Sequence, residues 1–321
     1  MYPRFSDLIN DLFGTDITLP VQTYGFFVAM AFIFGGLVVY IELHRKENEK
    51  IIFPHEKIRI KRKKEKVIEL IHPRQLAGNI ILVAAVSGIA GSKLFDVIEH
   101  LDLLIKDPVH TLFSFSGLAF YGGLITAAFA VSIYVERNKI PWRVNADVVA
   151  PALMLAYGIG RIGCQLSGDG CWGMVNTDPK PMWLSFLPDW LWAFNYPNNV
   201  INEGILIPGC VGRNCHMLGL PVFPTPIYET IIAFLFFGLL WFLRKKITIP
   251  GILFSIYLIL NGTERFFIEK MRVNIRYDFM GMKVSQASII AIMLIMTGIG
   301  GIFFFRWRNR KKLIKPIANE S

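Results

Sequence analysis

Charge is scarce in this 321-residue sequence: only 18% of its positions are Asp, Glu, Lys or Arg, against about 25% in soluble domains. A globule of this length would lack the polar surface to stay in water, which excludes a soluble protein of one or two domains. Acidic residues are the scarcer sign, 24 against 34 basic ones, and the formal net charge is +10. Basic excess alone would suit a nucleic-acid binder; 53% hydrophobic residues and a mean hydropathy of +0.45 exclude one. Cysteine is rare, with four residues, too few for a disulfide-built scaffold. The cysteines have no metal-ligand spacing, so no metal and no cofactor are expected. No Walker-type or dinucleotide glycine loop occurs. The six histidines (His44, His55, His72, His100, His110, His216) lie in loops or at the ends of apolar runs, without a Ser-His-Asp set. There is no internal repeat and no Gly/Pro-broken pair of apolar runs, which weakens an inverted-repeat transporter. Residues 1–20 carry Asp7, Asp11 and Asp16 against Arg4, the wrong sign for a cleavable signal peptide, so the first apolar run is expected to be its own insertion signal.

What the chain does have is long apolar runs, rich in phenylalanine. Spanning a bilayer takes about 20 helical residues, and seven runs qualify: Val21–Leu43, Leu76–Ile98, Leu112–Val135, Val148–Leu166, Ile227–Leu243, Gly251–Glu269 and Ala287–Phe305. The reading is an all-α polytopic membrane protein. Of the 34 basic residues, 23 lie in alternate segments: the 44–75 loop, the 136–147 loop, Arg244-Lys245-Lys246 and the tail from Arg306. The positive-inside rule then puts the amino terminus outside and the carboxy terminus in the cytoplasm. The 44–75 loop, which includes Lys61-Arg62-Lys63-Lys64, reads as an amphipathic cytoplasmic helix resting on anionic membrane lipids. Residues 167–224 hold Trp172, Trp183, Trp190 and Trp192 among seven prolines. Tryptophan favours the membrane interface and proline forbids long helix, so this segment reads as a small extracytoplasmic cap.

Ionisable groups inside spans are costly and mark function by default. Here they are Lys93, Asp96, Arg161, Asp169, Glu229, Glu264, Arg265 and Glu269. With the predicted sidedness all eight gather near the outer interface, which suits a site that handles a molecule at the outer leaflet rather than an ion pathway. Arg161 lies in Gly158-Ile159-Gly160-Arg161-Ile162-Gly163, where small residues admit a neighbouring backbone or a phosphate; the alternative is an arginine snorkelling to the interface. Arg265, Glu269 and Arg272 share one helix face, as a structural ion pair, a phosphate grip, or both. Glu229 is expected to buttress such a pair. Tyr121, between glycines that leave room beside its ring (Gly122 and Gly123 follow it), and Tyr24 are candidates for substrate contact; both also suit an interfacial belt. Cys171, Cys210 and Cys215 fall on the oxidising side, where one disulfide is expected; sequence does not choose the pair.

These residues fall into segments that are similar to a known family. GRIGCQLSGDGCWG at 160–173 resembles the signature of prolipoprotein diacylglyceryl transferases. Tyr24-Gly25, GLAFYGG at 117–123, Asp147 and Pro151, PTPIYE at 224–229 and RFFIEKMR at 265–272 follow the family's order. The resemblance implies a multi-pass enzyme of the bacterial cytoplasmic membrane. It would transfer the diacylglyceryl group of phosphatidylglycerol to the lipobox cysteine of a preprolipoprotein signal peptide, without nucleic acid. Arg161 and Arg265 would match the family's essential arginines, Glu269 its span-6 carboxylate and Asp169 the acidic residue of the signature. The chain departs from the family where Tyr121 stands for His, where Cys164 and Ser167 stand for Asn, and in an extra residue before Trp172. The implied roles are catalytic for Tyr121, Arg161, Asp169, Arg265 and Glu269. Tyr24, Gly122, Gly123, Glu229 and Arg272 would join Arg161 and Arg265 in binding substrate. A non-catalytic phospholipid-binding homologue and an anion or lipid transporter stay open as other readings.

Overall fold

The computed structural model describes residues 1–60, 66–107, 119–272, 276–279 and 282–314. It is mostly helical, with long helices at all seven predicted places among these residues. The helices are α1 (Phe5–Phe13), α2 (Thr23–Asn48), α3 (Ala77–Glu99), α4 (Leu101–Lys106), α5 (Phe120–Arg137), α6 (Trp142–Ser167), α7 (Thr225–Leu243), α8 (Ile252–Glu269) and α9 (Gln286–Ile314). Five stretches are long and apolar enough to cross a membrane: Thr23–Asn48, Pro73–Glu99, Trp142–Ser167, Thr225–Leu243 and Gln286–Arg310. The protein is therefore a helical membrane protein. The two remaining helices fall short for visible reasons. Helix α5 begins where the predicted residues 112–118 lie outside the described ones and ends in Glu136-Arg137, and α8 carries Glu264, Arg265 and Glu269.

The 44–75 segment corrects the sequence reading. Helix α2 runs on to Asn48, and an antiparallel hairpin follows, β1 (His55–Ile60) with β2 (Lys66–Ile71), where a helix was expected. Strand β1 carries Ile58 and Ile60 and β2 carries Val67, Ile68 and Ile71, β-branched residues that favour a pleated pair. The basic run 61–64 lies outside the described residues. Arg45 pairs with Glu42 at 2.8 Å and Glu49 at 2.7 Å, and Glu47 meets His72 at 2.5 Å, fastening the end of α2 to the strand that returns.

The chain forms two compact units, Gly36–Val149 and Met1–Gly35 with Ala150–Ser321. In the first, α3 and α5 meet through small residues. A Cβ on Gly91 would lie 2.4 Å from Thr126 Cβ, one on Gly122 2.4 Å from Phe95, and one on Gly123 2.8 Å from the Gly88 carbonyl. Lys93 and Asp96 form an ion pair at 3.0 Å on α3.

In the second unit, Met154 of α6, Ala233 and Leu240 of α7 and Leu253 of α8 make a buried cluster. Helix α9 lies close against α8, because Gly262 faces the Ala291 carbonyl and Gly298 the Ser255 carbonyl. Apolar burial gives little drive between helices in lipid, so close backbone approach has to supply it. Gly262→Ala would put a Cβ 2.7 Å from the Ala291 oxygen; we expect it to destabilise the protein by about 1–3 kcal/mol. Gly300 on α9 has nothing within 4 Å of such a Cβ, and Gly300→Ala should be neutral or stabilising. Thermal unfolding of the two variants in detergent separates packing from helix propensity.

Between α6 and α7 the described structure has no α-helix. Two 3₁₀ turns (Met182–Leu184 and Asp189–Leu191) and a two-residue strand pair (β3, Ile205–Leu206; β4, His216–Met217) break up irregular chain. Tyr196 is its anchor: buried, it meets Trp172 at a tilt and Phe194 edge-on, each 4.9 Å away by ring centroid, and donates to Gln165 of α6 at 2.6 Å. Burial pushes its hydroxyl pKa up, so it stays a donor. The tryptophans expected at an interface divide: Trp172 packs inward, while Trp183 and Trp190 stand exposed beside Met182 and Phe186. The disulfide is Cys210–Cys215, which leaves Cys164 and Cys171 as free thiols. A last hairpin, β5 (Arg276–Phe279) with β6 (Met282–Ser285), precedes α9.

Candidate active site

Helix α6 presents Tyr157, Arg161 and Cys164 on one face, by i+4 and i+3 spacing. The Arg161 guanidinium carbon lies 5.0 Å from the Tyr157 ring centroid, a cation–π distance. Its Nη1 reaches Cys164 Sγ at 3.9 Å and its Nε faces Glu229 Oε2 of α7 at 2.9 Å. Glu229 is fully buried, and its other oxygen faces Arg272 Nη1 at 3.7 Å, just past the end of α8. These contacts are ion pairs without the alignment of hydrogen bonds. One carboxylate therefore holds two arginines that are 111 residues apart in sequence.

Helix α8 adds a second pair. Arg265 Nη2 lies 3.1 Å from Glu269 Oε2, one turn on; Arg265 keeps 26% of its side chain exposed and Glu269 4%. Arg265 is also within electrostatic range of Glu229. Glu264 accepts a hydrogen bond from the Tyr157 hydroxyl at 3.1 Å, tying α8 to α6 beneath Arg161. Three arginines and three carboxylates balance in number. What the cluster offers an anion is a set of guanidinium donors in fixed places, rather than excess charge.

Backbone contacts explain why these segments meet. The 171–174 strand of chain is stitched on both sides: Thr225 Oγ1 donates to the Cys171 carbonyl at 2.8 Å, Gly173 N to Phe223 O at 2.8 Å, and Met174 N to Met271 O at 2.7 Å. The ends of α6, α7 and α8 are thereby joined. The glycines around Arg161 do different work. A Cβ on Gly158 would meet Ala233 at 3.2 Å and one on Gly163 would meet Phe27 at 2.8 Å, so both let helices close; beside Gly160 there is open space within 4 Å. Tyr24, half exposed in the first turn of α2, lies against Gly163 and within electrostatic range of Arg161, Cys164, Asp169 and Cys171.

Of the residues singled out from sequence, Tyr24, Arg161, Asp169, Glu229, Arg265, Glu269 and Arg272 fall in one unit, the last six around the joined helix ends. Tyr121, Gly122 and Gly123 belong to the other unit, in the first turn of α5. The room that Gly122 and Gly123 leave is taken by Phe95 and Ser92 of α3. Tyr157 was not singled out, although its place four residues before Arg161 was a readable signal. Glu264 was noted as a charge within a span and given no role. A third feature is a cluster of Cys164, Asp169 and Cys171, whose ligand atoms all lie within 4.8 Å of one another.

The comparisons with known proteins agree with the residue pattern. The family model for prolipoprotein diacylglyceryl transferase matches residues 12–304. A phosphatidylglycerol–prolipoprotein diacylglyceryl transferase of Leptospira interrogans is 29% identical over 229 residues, 63% of this chain. The match spans 62% of that relative's length. The enzyme of the same name from Symbiobacterium thermophilum is 32% identical over 243 residues, 72% of this chain and 76% of its own. That of Chlorobaculum tepidum is 24% identical over 304 residues, 90% of this chain and 88% of its own.

Proposed function

The chain belongs to the prolipoprotein diacylglyceryl transferase family, and from that membership we propose that it transfers the diacylglyceryl group of phosphatidylglycerol to the lipobox cysteine thiol of a preprolipoprotein. A carbon–sulfur bond forms as the bond between the glyceryl carbon and the phosphate-ester oxygen breaks. The thiol proton passes to a base, and the electron pair leaves on glycerol phosphate. The observation that carries this reading is the buried Glu229 holding Arg161 and Arg272, with the Arg265–Glu269 pair beside it.

Negative charge grows on the departing phosphate. Guanidiniums already fixed by their carboxylates stabilise it without reorganising during the step, and their planar forks match phosphate oxygens. Arg161 and Arg265 grip the phosphate, held by Glu229 and Glu269, and Arg272, held by the same Glu229, joins them in binding substrate. The open space beside Gly160 supports access to Arg161. A thiol has a pKa of about 8.5 and needs modest activation, so Asp169 or Glu269 accepts its proton. Tyr24 contacts substrate near the end of α6. The resemblance of its segment implies a substrate hydrogen bond for Tyr121, and Gly122 and Gly123 let its turn close on α3.

The membrane setting belongs to the same proposal. Seven spans run from an outside amino terminus to a cytoplasmic carboxy terminus in a bacterial cytoplasmic membrane, with the site toward the outer leaflet. Alternate placement of 23 of 34 basic residues supports it. Residues 167–224 form an extracytoplasmic cap, supported by the exposed Met182, Trp183, Phe186 and Trp190 that suit a headgroup layer. The basic 44–75 loop, which holds the β1–β2 hairpin, rests on anionic lipid on the cytoplasmic side.

The direct test is transfer from phosphatidylglycerol to a lipobox peptide by the purified full chain, with the thioether product read by mass spectrometry. Bound lipid without product would sink the proposal in favour of a non-catalytic homologue. Tyr121→Phe is expected to lower the rate roughly tenfold, the worth of one hydrogen bond at about 1.4 kcal/mol, and leave turnover measurable. A free tyrosine titrates near 10, too high for a general base at neutrality. Complete loss in Tyr121→Phe would show proton transfer through Tyr121 instead.

A further inference from the structure

We propose that Cys164, Asp169 and Cys171 bind one thiophilic divalent cation, zinc or cadmium in chemical class, at the end of α6. The two sulfurs and a carboxylate oxygen lie within 4.8 Å of one another. A tetrahedral zinc site with Zn–S near 2.3 Å has sulfur–sulfur edges of about 3.8 Å, so small side-chain rotations close the set. Both cysteines are free thiols and neither shares in the Cys210–Cys215 disulfide.

The loop that gathers them is built for the purpose of turning back. Helix α6 stops at Ser167, and Gly168 (φ +65°) and Gly170 (φ +87°) take left-handed backbone on either side of Asp169. Gly168 packs on Asn199, where a Cβ would come within 2.9 Å of its side chain. The Cys171 amide donates to Asp169 Oδ1 at 3.2 Å, and the Cys171 carbonyl is held by Thr225. Asp169 and Cys171 are thus returned to Cys164, where the two thiols face each other and a cation would replace that contact. Cys164 is buried and the other two are half-buried, so the protein offers three ligands and leaves a fourth position for water or an exchangeable group.

Binding forms two sulfur–metal bonds and one oxygen–metal bond. Each thiol gives its proton to solvent, and nothing is oxidised or reduced. The incoming cation also competes with Arg161 for Cys164, whose sulfur is 3.9 Å from Nη1. The metal site shares Asp169 with the proposed transferase site, and its test reads metal binding rather than transfer, so the two readings fail separately.

The test is a cadmium titration of the full chain in lipid nanodiscs, read by the ultraviolet thiolate-to-cadmium charge-transfer band, with a zinc titration read by thermal unfolding. We expect saturation at one cadmium per chain and a rise in melting temperature with zinc. Cys171→Ser should weaken binding by more than about tenfold, since loss of an outer-sphere partner alone costs 10–100-fold, and should erase the zinc-dependent rise. Asp169→Asn should weaken binding without removing the sulfur band. A Cys210→Ser/Cys215→Ser double variant should keep it. The proposal is overturned if no cadmium binds at stoichiometric concentration, or if the band survives Cys164→Ser/Cys171→Ser. Alkylation and peptide mass spectrometry of the isolated chain should find Cys164 and Cys171 as thiols. A Cys164–Cys171 disulfide there would assign the pair to redox chemistry and overturn it too.

Discussion

Arg161→Ala is expected to lower diacylglyceryl transfer by about 10²–10³-fold, the usual effect of removing one preorganised donor from a developing anion. The loss should fall on kcat as well as kcat/KM, because the donor matters most when the phosphate carries its full charge. Arg161→Lys should recover little. A lysine keeps the charge but has no fork to divide between Glu229 Oε2 and a phosphate. The purified variant is assayed with phosphatidylglycerol and a lipobox peptide beside Arg265→Ala. Turnover that survives both substitutions would remove the arginines from the chemistry.

Glu229→Gln should cost stability as much as activity. The carboxylate is fully buried and holds Arg161 and Arg272 from opposite sides. Losing its charge leaves two guanidiniums facing a neutral amide in a place largely out of water. Breaking a buried pair in this way costs about 3–5 kcal/mol, and the arginines are only 16% exposed, so solvent offsets little of it. A fall of several degrees in melting temperature is expected, together with a transfer rate as low as that of Arg161→Ala. The double variant Arg161→Ala/Glu229→Gln should lose less than the sum of the two, since the residues share one contact. Additive losses would mean that Glu229 acts independently of Arg161.

The helix positions were legible because each is an apolar run, and the physics that hides a helix in lipid writes it plainly in the sequence. What blurred them was polarity. Helix α6 starts at Trp142, six residues before its predicted start, because Asn145 and Asp147 interrupt the apolar pattern; both are buried within the protein. The 44–75 segment reads as a helix by its charge, while the Ile58 and Ile60 alternation in β1 and the β-branched residues of β2 favour a hairpin. At the site, Arg265 and Glu269 were readable as neighbours on one helix. The Arg161–Glu229–Arg272 bridge was readable as chemistry but not as a contact, since it joins three segments that only folding brings together. Gly122 and Gly123 read as room for a ligand, yet glycine looks the same whether it admits a substrate or Phe95 of a neighbouring helix. The thiol–carboxylate cluster was invisible because its ligands depend on two left-handed glycines and follow no standard spacing.

The Glu229 bridge also orders events during synthesis. Arg161 is made 68 residues before Glu229, so α6 must enter the membrane with an arginine whose partner does not yet exist. Near the end of its span such an arginine costs less than the roughly 2.5–3.5 kcal/mol of one at the helix centre, because it can snorkel to the interface. The ribosome must deliver the chain as far as Glu229 in α7 before Arg161 meets its partner, and a further 43 residues before Arg272 arrives. The final seat of Arg161 is therefore fixed only once α7 has joined α6.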